Sequence, residues 1–228
     1  KYTLFGIGTN KYTYNDEKFE NLNIKYCPKC NSKLLYNYYH CETLGNYYCP
    51  NCDFKRRKPQ IEVTKLDYEK SFVVVNDEYK FNIPFNTLFE VYNTLAAFTV
   101  ASLINLNLDE ACNTISKMPV NLKIFNKYTY NDRIVYVLNN KAENATTYNQ
   151  SLLFVKRNTE LKTLIIGWKE ISRRYNFDDL SWLYDIEFEL LSNNEIDKII
   201  CIGPQAYDIA TRLKYANIEE EKIVVIPL

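Results

Sequence analysis

Two cysteine pairs, Cys27-Pro28-Lys29-Cys30 and Cys49-Pro50-Asn51-Cys52, constrain this chain more than any other feature. A C-x-x-C turn aims two thiolates at one centre. Two such turns, with 18 residues between the inner cysteines, complete a tetrahedral four-sulfur set of the kind that selects Zn(II). Four filled positions point to a structural site, because a catalytic zinc keeps one position open. Asn31 and Asp53 each follow a knuckle and tolerate the left-handed conformation such turns often need. The stretch between the knuckles, Leu34-Leu35-Tyr36-Asn37-Tyr38-Tyr39 and then Gly45-Asn46-Tyr47-Tyr48, reads as strand, turn, strand. Residues 25–59 are therefore expected to form a zinc ribbon. Four free thiols and an iron–sulfur cluster are the weaker alternatives.

Charge excludes some functions. Lysine plus arginine and aspartate plus glutamate balance at 28 each, so no global charge steers the chain to nucleic acid or an anionic membrane. One short basic run, Lys55-Arg56-Arg57-Lys58, closes the ribbon and reads as a solvated face. No apolar run approaches transmembrane length and no signal-peptide pattern occurs. The three other cysteines, Cys41, Cys112 and Cys201, are scattered and odd in number, which fits a cytoplasmic, zinc-binding protein better than a disulfide framework. Cys112 and Cys201 sit among apolar residues and read as small core side chains. His40, the single histidine, excludes chemistry that needs two, and reads as a packing residue with an alternative role beside the metal. The chain opens in mid-strand by pattern (Tyr2-Thr3-Leu4-Phe5-Gly6), which leads us to expect a missing upstream segment.

The periodicity divides the chain near Met118-Pro119, giving expected domains at 1–118 and 119–228. In the first, segments 60–65 and 71–84 read as strands. From Leu88 to about Leu106 the spacing turns helical, with Leu88, Val91, Leu95 and Phe98 on one side and Ala96, Ala97 and Ala101 small enough for close packing on a sheet. A shorter helix is expected at 108–117, with Asp109 and Glu110 in its first turn. In the second domain, short β-branched runs (Ile134–Leu138, Leu164–Ile166, Ile199–Ile202, Ile223–Ile226) alternate with helices near 147–157 and 205–216. That alternation predicts a doubly wound, Rossmann-like parallel sheet, with ligand contacts outside the carboxyl ends of its strands, where Gly203 falls.

Between two of those strands lies an acidic, aromatic segment, Asp179-Leu180-Ser181-Trp182-Leu183-Tyr184-Asp185-Ile186-Glu187-Phe188-Glu189. By itself it reads as an amphipathic stretch with Trp182 in the core and its acids in solvent. Yet it resembles the D-x-S-W-x-x-D-x-D-F-E signature of the MurT family, the Mur-ligase-like subunits of glutamine-hydrolysing lipid II isoglutaminyl synthase. Three further stretches extend the resemblance. Gly203–Ala216 resembles G-x-R-A-x-D-M-A-x-R-L-K-Y-A, Val91–Ala97 resembles V-Y-N-A-L-A-A, and the four-cysteine ribbon with its Tyr38-Tyr39-His40 stretch is a family feature.

The resemblance implies an α/β architecture in which part of a Mur-ligase central domain, carrying the inserted ribbon, precedes a Mur-ligase-like C-terminal domain. It also implies a subunit that binds ATP with Mg(II) and the lipid II muropeptide, and activates the D-glutamate carboxylate as an acyl phosphate. A GatD-type glutaminase partner supplies the ammonia, and the product is D-isoglutamine. An acid of the C-terminal domain is implied to complete the partner's Cys–His catalytic group. Asp179 and Asp185 are the candidates, and Asn93 is the implied nucleotide contact.

No G-x-x-x-x-G-K-[ST] loop occurs in the 228 residues. Glu90 stands where the family has Asn, and Gln205 where it has Arg. The family's F-G-R-x-E stretch is not recognisable around Val120–Phe125. Its K-N-P-x-G-x-N loop keeps only Asn149 clearly, and its N-D-N has become Gly167-Trp168-Lys169. This polypeptide alone is therefore expected to lack ligase activity. A degenerate, non-catalytic binding or scaffold protein is the alternative function, and a nucleic-acid-binding ribbon a weaker third.

Overall fold

The computed structural model describes residues 2–15, 25–41, 44–84, 86–118, 125–139, 145–168, 180–192 and 195–227. The chain folds as two compact units, Lys1–Asn139 and Asn140–Leu228. The division falls after the hairpin at 125–138, whereas the sequence places a hinge at Met118-Pro119; residues 119–124 lie outside the described set.

In the first unit, strand β1 (Phe5–Ile7) is followed by the hairpin of β2 (Leu35–Cys41) and β3 (Leu44–Tyr48), then by β4 (Ile61–Asp67), β5 (Phe72–Val75) and β6 (Tyr79–Asn82). A mixed sheet of order β1-β4-β5-β6 results, with β1 parallel to β4 and the remaining pairs antiparallel. The segment 71–84 is a hairpin of two strands. Its break lies at Asn76-Asp77, both at positive φ (52° and 60°), with the Glu78 amide closing on the Val75 carbonyl at 3.1 Å. Two left-handed central residues make a type I′ turn, whose twist matches that of paired strands.

Helix α1 (Leu88–Leu103) buries Leu88, Val91, Leu95 and Phe98, the face expected from their spacing. Phe98 stacks on Phe81 of β6 at 5.7 Å between ring centroids. Of the three alanines only Ala101 is buried, and Ala97 faces solvent. Helix α2 (Leu108–Ser116) starts where Asn107 Oδ1 accepts from the amides of Asp109 and Glu110 at 3.0 and 3.1 Å. That cap satisfies two amides the helix cannot satisfy internally.

The run Ile134–Leu138, expected in the parallel sheet, instead forms β8 (Arg133–Leu138) of an isolated antiparallel hairpin with β7 (Phe125–Tyr130). Asn131 and Asp132, at φ 46° and 60°, connect them. A two-residue connection permits only antiparallel pairing.

The second unit contains α3 (Ala145–Arg157), β9 (Lys162–Gly167), β10 (Ile196–Ile202), α4 (Ala206–Tyr215) and β11 (Ile223–Ile226). Its sheet is parallel, in the order β11-β10-β9. Rows Leu164–Ile199–Ile223 and Ile166–Cys201–Val225 face a core shared with α3 and α4. On the opposite face Ile165 is 70 % exposed, and Val224 and Ile226 are exposed as well. Helix α4 ends with Asn217 at φ 59° and a bond from the Ile218 amide to the Leu213 carbonyl at 3.1 Å, the left-handed C-terminal cap in which Asn stands in for Gly.

Gly203, immediately after β10, adopts φ 103°, and a Cβ there would lie 2.9 Å from the Trp168 carbonyl oxygen. Its amide donates to the Ile226 carbonyl. The residue thus bonds the end of β10 to that of β11 and lies close against the backbone that follows β9.

Candidate functional site

Each knuckle is built by its own backbone. The Cys27 amide donates to the Ser32 carbonyl at 2.8 Å, and the Cys27 carbonyl accepts from the Asn31 amide at 2.8 Å. Asn31 takes the expected left-handed conformation (φ 57°). Asp53 does not; the second knuckle closes instead through a bond from the Cys49 amide to the Phe54 carbonyl at 2.7 Å. Bridges Tyr26–Lys33 and Tyr48–Lys55 make each knuckle a small hairpin, and Leu34, Tyr36 and Phe54 pack beside Cys27 and Cys49.

The four sulfurs of Cys27, Cys30, Cys49 and Cys52 all lie within 4.8 Å of one another, with Cys27–Cys52 at 3.5 Å and Cys30–Cys49 at 3.4 Å. A tetrahedral metal–thiolate site with bonds of about 2.3 Å places its sulfurs about 3.8 Å apart, so the set fits a metal ion with little rearrangement. The thiols ionise unequally. The Ser32 hydroxyl and amide hold Cys30 down at about 6. The bond from Phe54 draws Cys52 downward, but desolvation and the other three sulfurs outweigh it and push Cys52 up to about 12.

His40 is not a ligand. It is 5 % exposed on β2, and its Nε2 donates to the Ile7 carbonyl oxygen at 3.0 Å. Arg56 Nη2 donates to the same oxygen at 3.0 Å, and Arg56 Nη1 to the Tyr38 hydroxyl. Arg56 is half-buried and lies 3.7 Å from the Glu62 carboxylate. The basic run is therefore not uniformly solvated: its second residue latches the cysteine hairpin to the end of β1. Sequence reasoning missed Arg56 because nothing in a Lys-Arg-Arg-Lys run marks one member for burial.

Asn93 is exposed on α1, one turn after Glu90. Burial raises the Glu90 carboxyl above its ordinary range, while a hydrogen bond from Asn93 opposes the shift. Cys112 and Cys201 are buried as expected, and burial pushes the Cys201 thiol up to about 11.

The acidic segment is two short 3-10 turns, Ser181–Asp185 and Phe188–Leu191. Leu183, Ile186, Phe188 and Leu191 anchor it in the core of the second unit. Trp182 is half-buried, stacked on Tyr148 at 5.4 Å and tilted against Trp168 at 5.3 Å. Asp185 is exposed, and Asp179 lies outside the described residues. Buried polar side chains grip the backbone beside Asp185: Asn149 Oδ1 accepts from the Glu187 amide at 2.8 Å, Asn149 Nδ2 donates to the Asp185 carbonyl at 3.3 Å, and Arg212 Nη2 donates to the Ile186 carbonyl at 2.6 Å.

Residues 141–227 match the family described as MurT ligase C-terminal. Over 226 residues, 97 % of the chain, the sequence is 30 % identical to the lipid II isoglutaminyl synthase (glutamine-hydrolyzing) subunit MurT of Staphylococcus aureus strain COL, and equally to that of strain N315. The chain resembles these MurT subunits. It spans half the length of those MurT subunits. Among solved structures, a pseudomurein peptide ligase type C from Methanothermus fervidus superposes with a TM-score of 0.67 at 16 % identity, over 98 % of this chain and 41 % of that one. MurF from Acinetobacter baumannii gives 0.57 at 13 % identity, over 74 % and 36 %. These matches give the MurT-related chain a Mur-ligase-like α/β fold. Among the described residues, no helix is long and apolar enough to cross a membrane.

Proposed function

We propose that this chain is the MurT-like subunit of an amidotransferase complex that converts D-glutamate of lipid II to D-isoglutamine during peptidoglycan synthesis, in the bacterial cytoplasm. The observation that carries the reading is the likeness to MurT along 97 % of the chain, including the acidic segment that follows β9. In this reading the substrate carboxylate takes the γ-phosphoryl group of Mg-ATP with release of ADP, and ammonia from a GatD-type glutaminase then displaces inorganic phosphate from the acyl phosphate to leave the amide. Asn93 is the proposed nucleotide contact. Asp185 or Asp179 orients the glutaminase histidine and stabilises its imidazolium, the role of the acid in a nucleophile–histidine–acid triad. The exposure of Asp185 on a firmly held turn supports that assignment.

The four cysteines are assigned to a structural Zn(II), and residues 25–59 to a zinc ribbon. Four thiolates leave no position for substrate, so the metal's role here is to hold the knuckles together. The parallel sheet of the second unit supports a Rossmann-like C-terminal domain.

The test is reconstitution. The chain, together with any further part of its MurT subunit, is combined with a GatD-type glutaminase, glutamine, Mg-ATP and a lipid II muropeptide. The expected product carries D-isoglutamine, identified by mass spectrometry. Complex formation with no amidation under any of these conditions would favour the non-catalytic scaffold.

A further inference from the structure

Buried polar groups in the second unit are concentrated on one turn. Four buried polar or charged residues are described there, Asn149, Ser151, Glu187 and Arg212, and three of them meet at Asp185–Glu187. The chain between the two 3-10 turns has little ladder of its own: the Ile186 amide reaches Leu183 at 3.3 Å, and the Phe188 amide reaches Ile186 at 3.0 Å. Ile186 and Glu187 are nevertheless buried, so their remaining peptide groups need partners from elsewhere.

Two helices supply them. Asn149 of α3, 1 % exposed, grips both sides of the turn, accepting from Glu187 and donating to the carbonyl of Asp185 itself. An amide performs both tasks at once; a carboxylate cannot donate, and an aliphatic side chain does neither. Arg212 of α4, 4 % exposed, holds the Ile186 carbonyl and pairs with Glu189 at 2.9 Å while lying over the Phe188 ring. Three consecutive residues are thus fixed by two side chains from different helices, while the Asp185 carboxylate is left in solvent. Apolar residues of similar volume often stabilise such sites as well or better, so the stronger return on buried polar groups is a defined geometry.

We infer that Asn149 and Arg212 are positioning residues that hold the Asp185 backbone so that its carboxylate meets the histidine of a bound glutaminase in one orientation. The inference rests on the proposed role of Asp185 in glutamine hydrolysis. A misplacement of about 1 Å in a catalytic constellation costs about 100-fold.

The experiment is a double-mutant cycle in the reconstituted complex with a GatD-type glutaminase, comparing Asn149→Ala, Asp185→Asn and the pair, with Arg212→Lys as a second probe. The near-isosteric Asn149→Asp, which keeps the acceptor and loses the donor, serves if the alanine variant misfolds. Amide exchange in β10 confirms that the fold is kept. The expected result is that kcat for glutamine hydrolysis falls about 100-fold in Asn149→Ala, with KM for glutamine and affinity for the partner unchanged. In the Asp185→Asn background the same substitution should cost nothing further, because the group it positions is already gone. Equal losses in both backgrounds would overturn the positioning role, as would full activity in Asn149→Ala where Asp185→Asn is inactive. Full activity in Asp185→Asn itself would instead remove the underlying reading of Asp185, and the inference with it.

Discussion

The buried His40 sets up a pH-dependence that can be worked out from the structure. Burial holds the imidazole neutral and lowers its pKa from 6.5 to about 4; the hydrogen bond to the Ile7 carbonyl opposes that shift, and the nearby Arg56 guanidinium reinforces it. In the unfolded chain the imidazole returns to an ordinary value near 6.5. The folded value is the lower one, so below about pH 6.5 the unfolded state takes up a proton that the folded state refuses. Stability is whole above that pH and falls as pH drops toward 4. The full difference is on the order of 3 kcal/mol, of which about 1 kcal/mol is lost between pH 7 and pH 5.5. His40 is the only histidine, so one imidazole resonance reports on it without assignment. Followed by NMR from pH 8 to 5.5, that resonance should not shift. Urea unfolding of the first unit should show the loss of about 1 kcal/mol, and His40→Gln, which keeps a donor for Ile7 but cannot titrate, should abolish the His40 share of it. An imidazole titrating near 6.5 in the folded chain would refute the reasoning, because the latch of β2 on β1 would then not exclude water.

Other consequences can be measured separately. One zinc ion per chain is expected by elemental analysis, and Cys49→Ser should release it and unfold residues 25–59 while amide protection in β9–β11 persists, since structural zinc contributes on the order of 10 kcal/mol to folding of such modules; metal retained after the substitution would contradict the four-sulfur assignment. Gly203→Ala places a Cβ 2.9 Å from the Trp168 carbonyl at φ 103°, and strain of this kind costs about 1–3 kcal/mol. Its signature should be a lowered unfolding midpoint of the second unit reported by Trp168 and Trp182 fluorescence.

Local chemistry was the most legible part of the sequence. The C-x-x-C spacing placed four sulfurs together because turns of that length leave little choice. The apolar face of α1 followed from helical spacing, and Gly203 from its place after a β-branched run. Pairing was less legible. Ile134–Leu138 has the composition of a buried parallel strand, and only the Asn131-Asp132 turn, recognisable in advance as a hairpin connector, shows that it folds back on β7. The latch at Arg56 and the grip of Asn149 and Arg212 on Asp185–Glu187 join residues far apart in sequence. No local pattern announces them, because each depends on which backbone carbonyl the fold brings within reach.

The central claim, that this chain completes a glutaminase, is tested most directly by measuring glutamine hydrolysis by a GatD-type partner as the chain is titrated in. Activity should rise with formation of a stoichiometric complex, and the complex carrying both Asp179→Asn and Asp185→Asn should still form but hydrolyse glutamine orders of magnitude more slowly, on the scale of losing a triad acid. Wild-type hydrolysis by the doubly substituted complex would contradict the account.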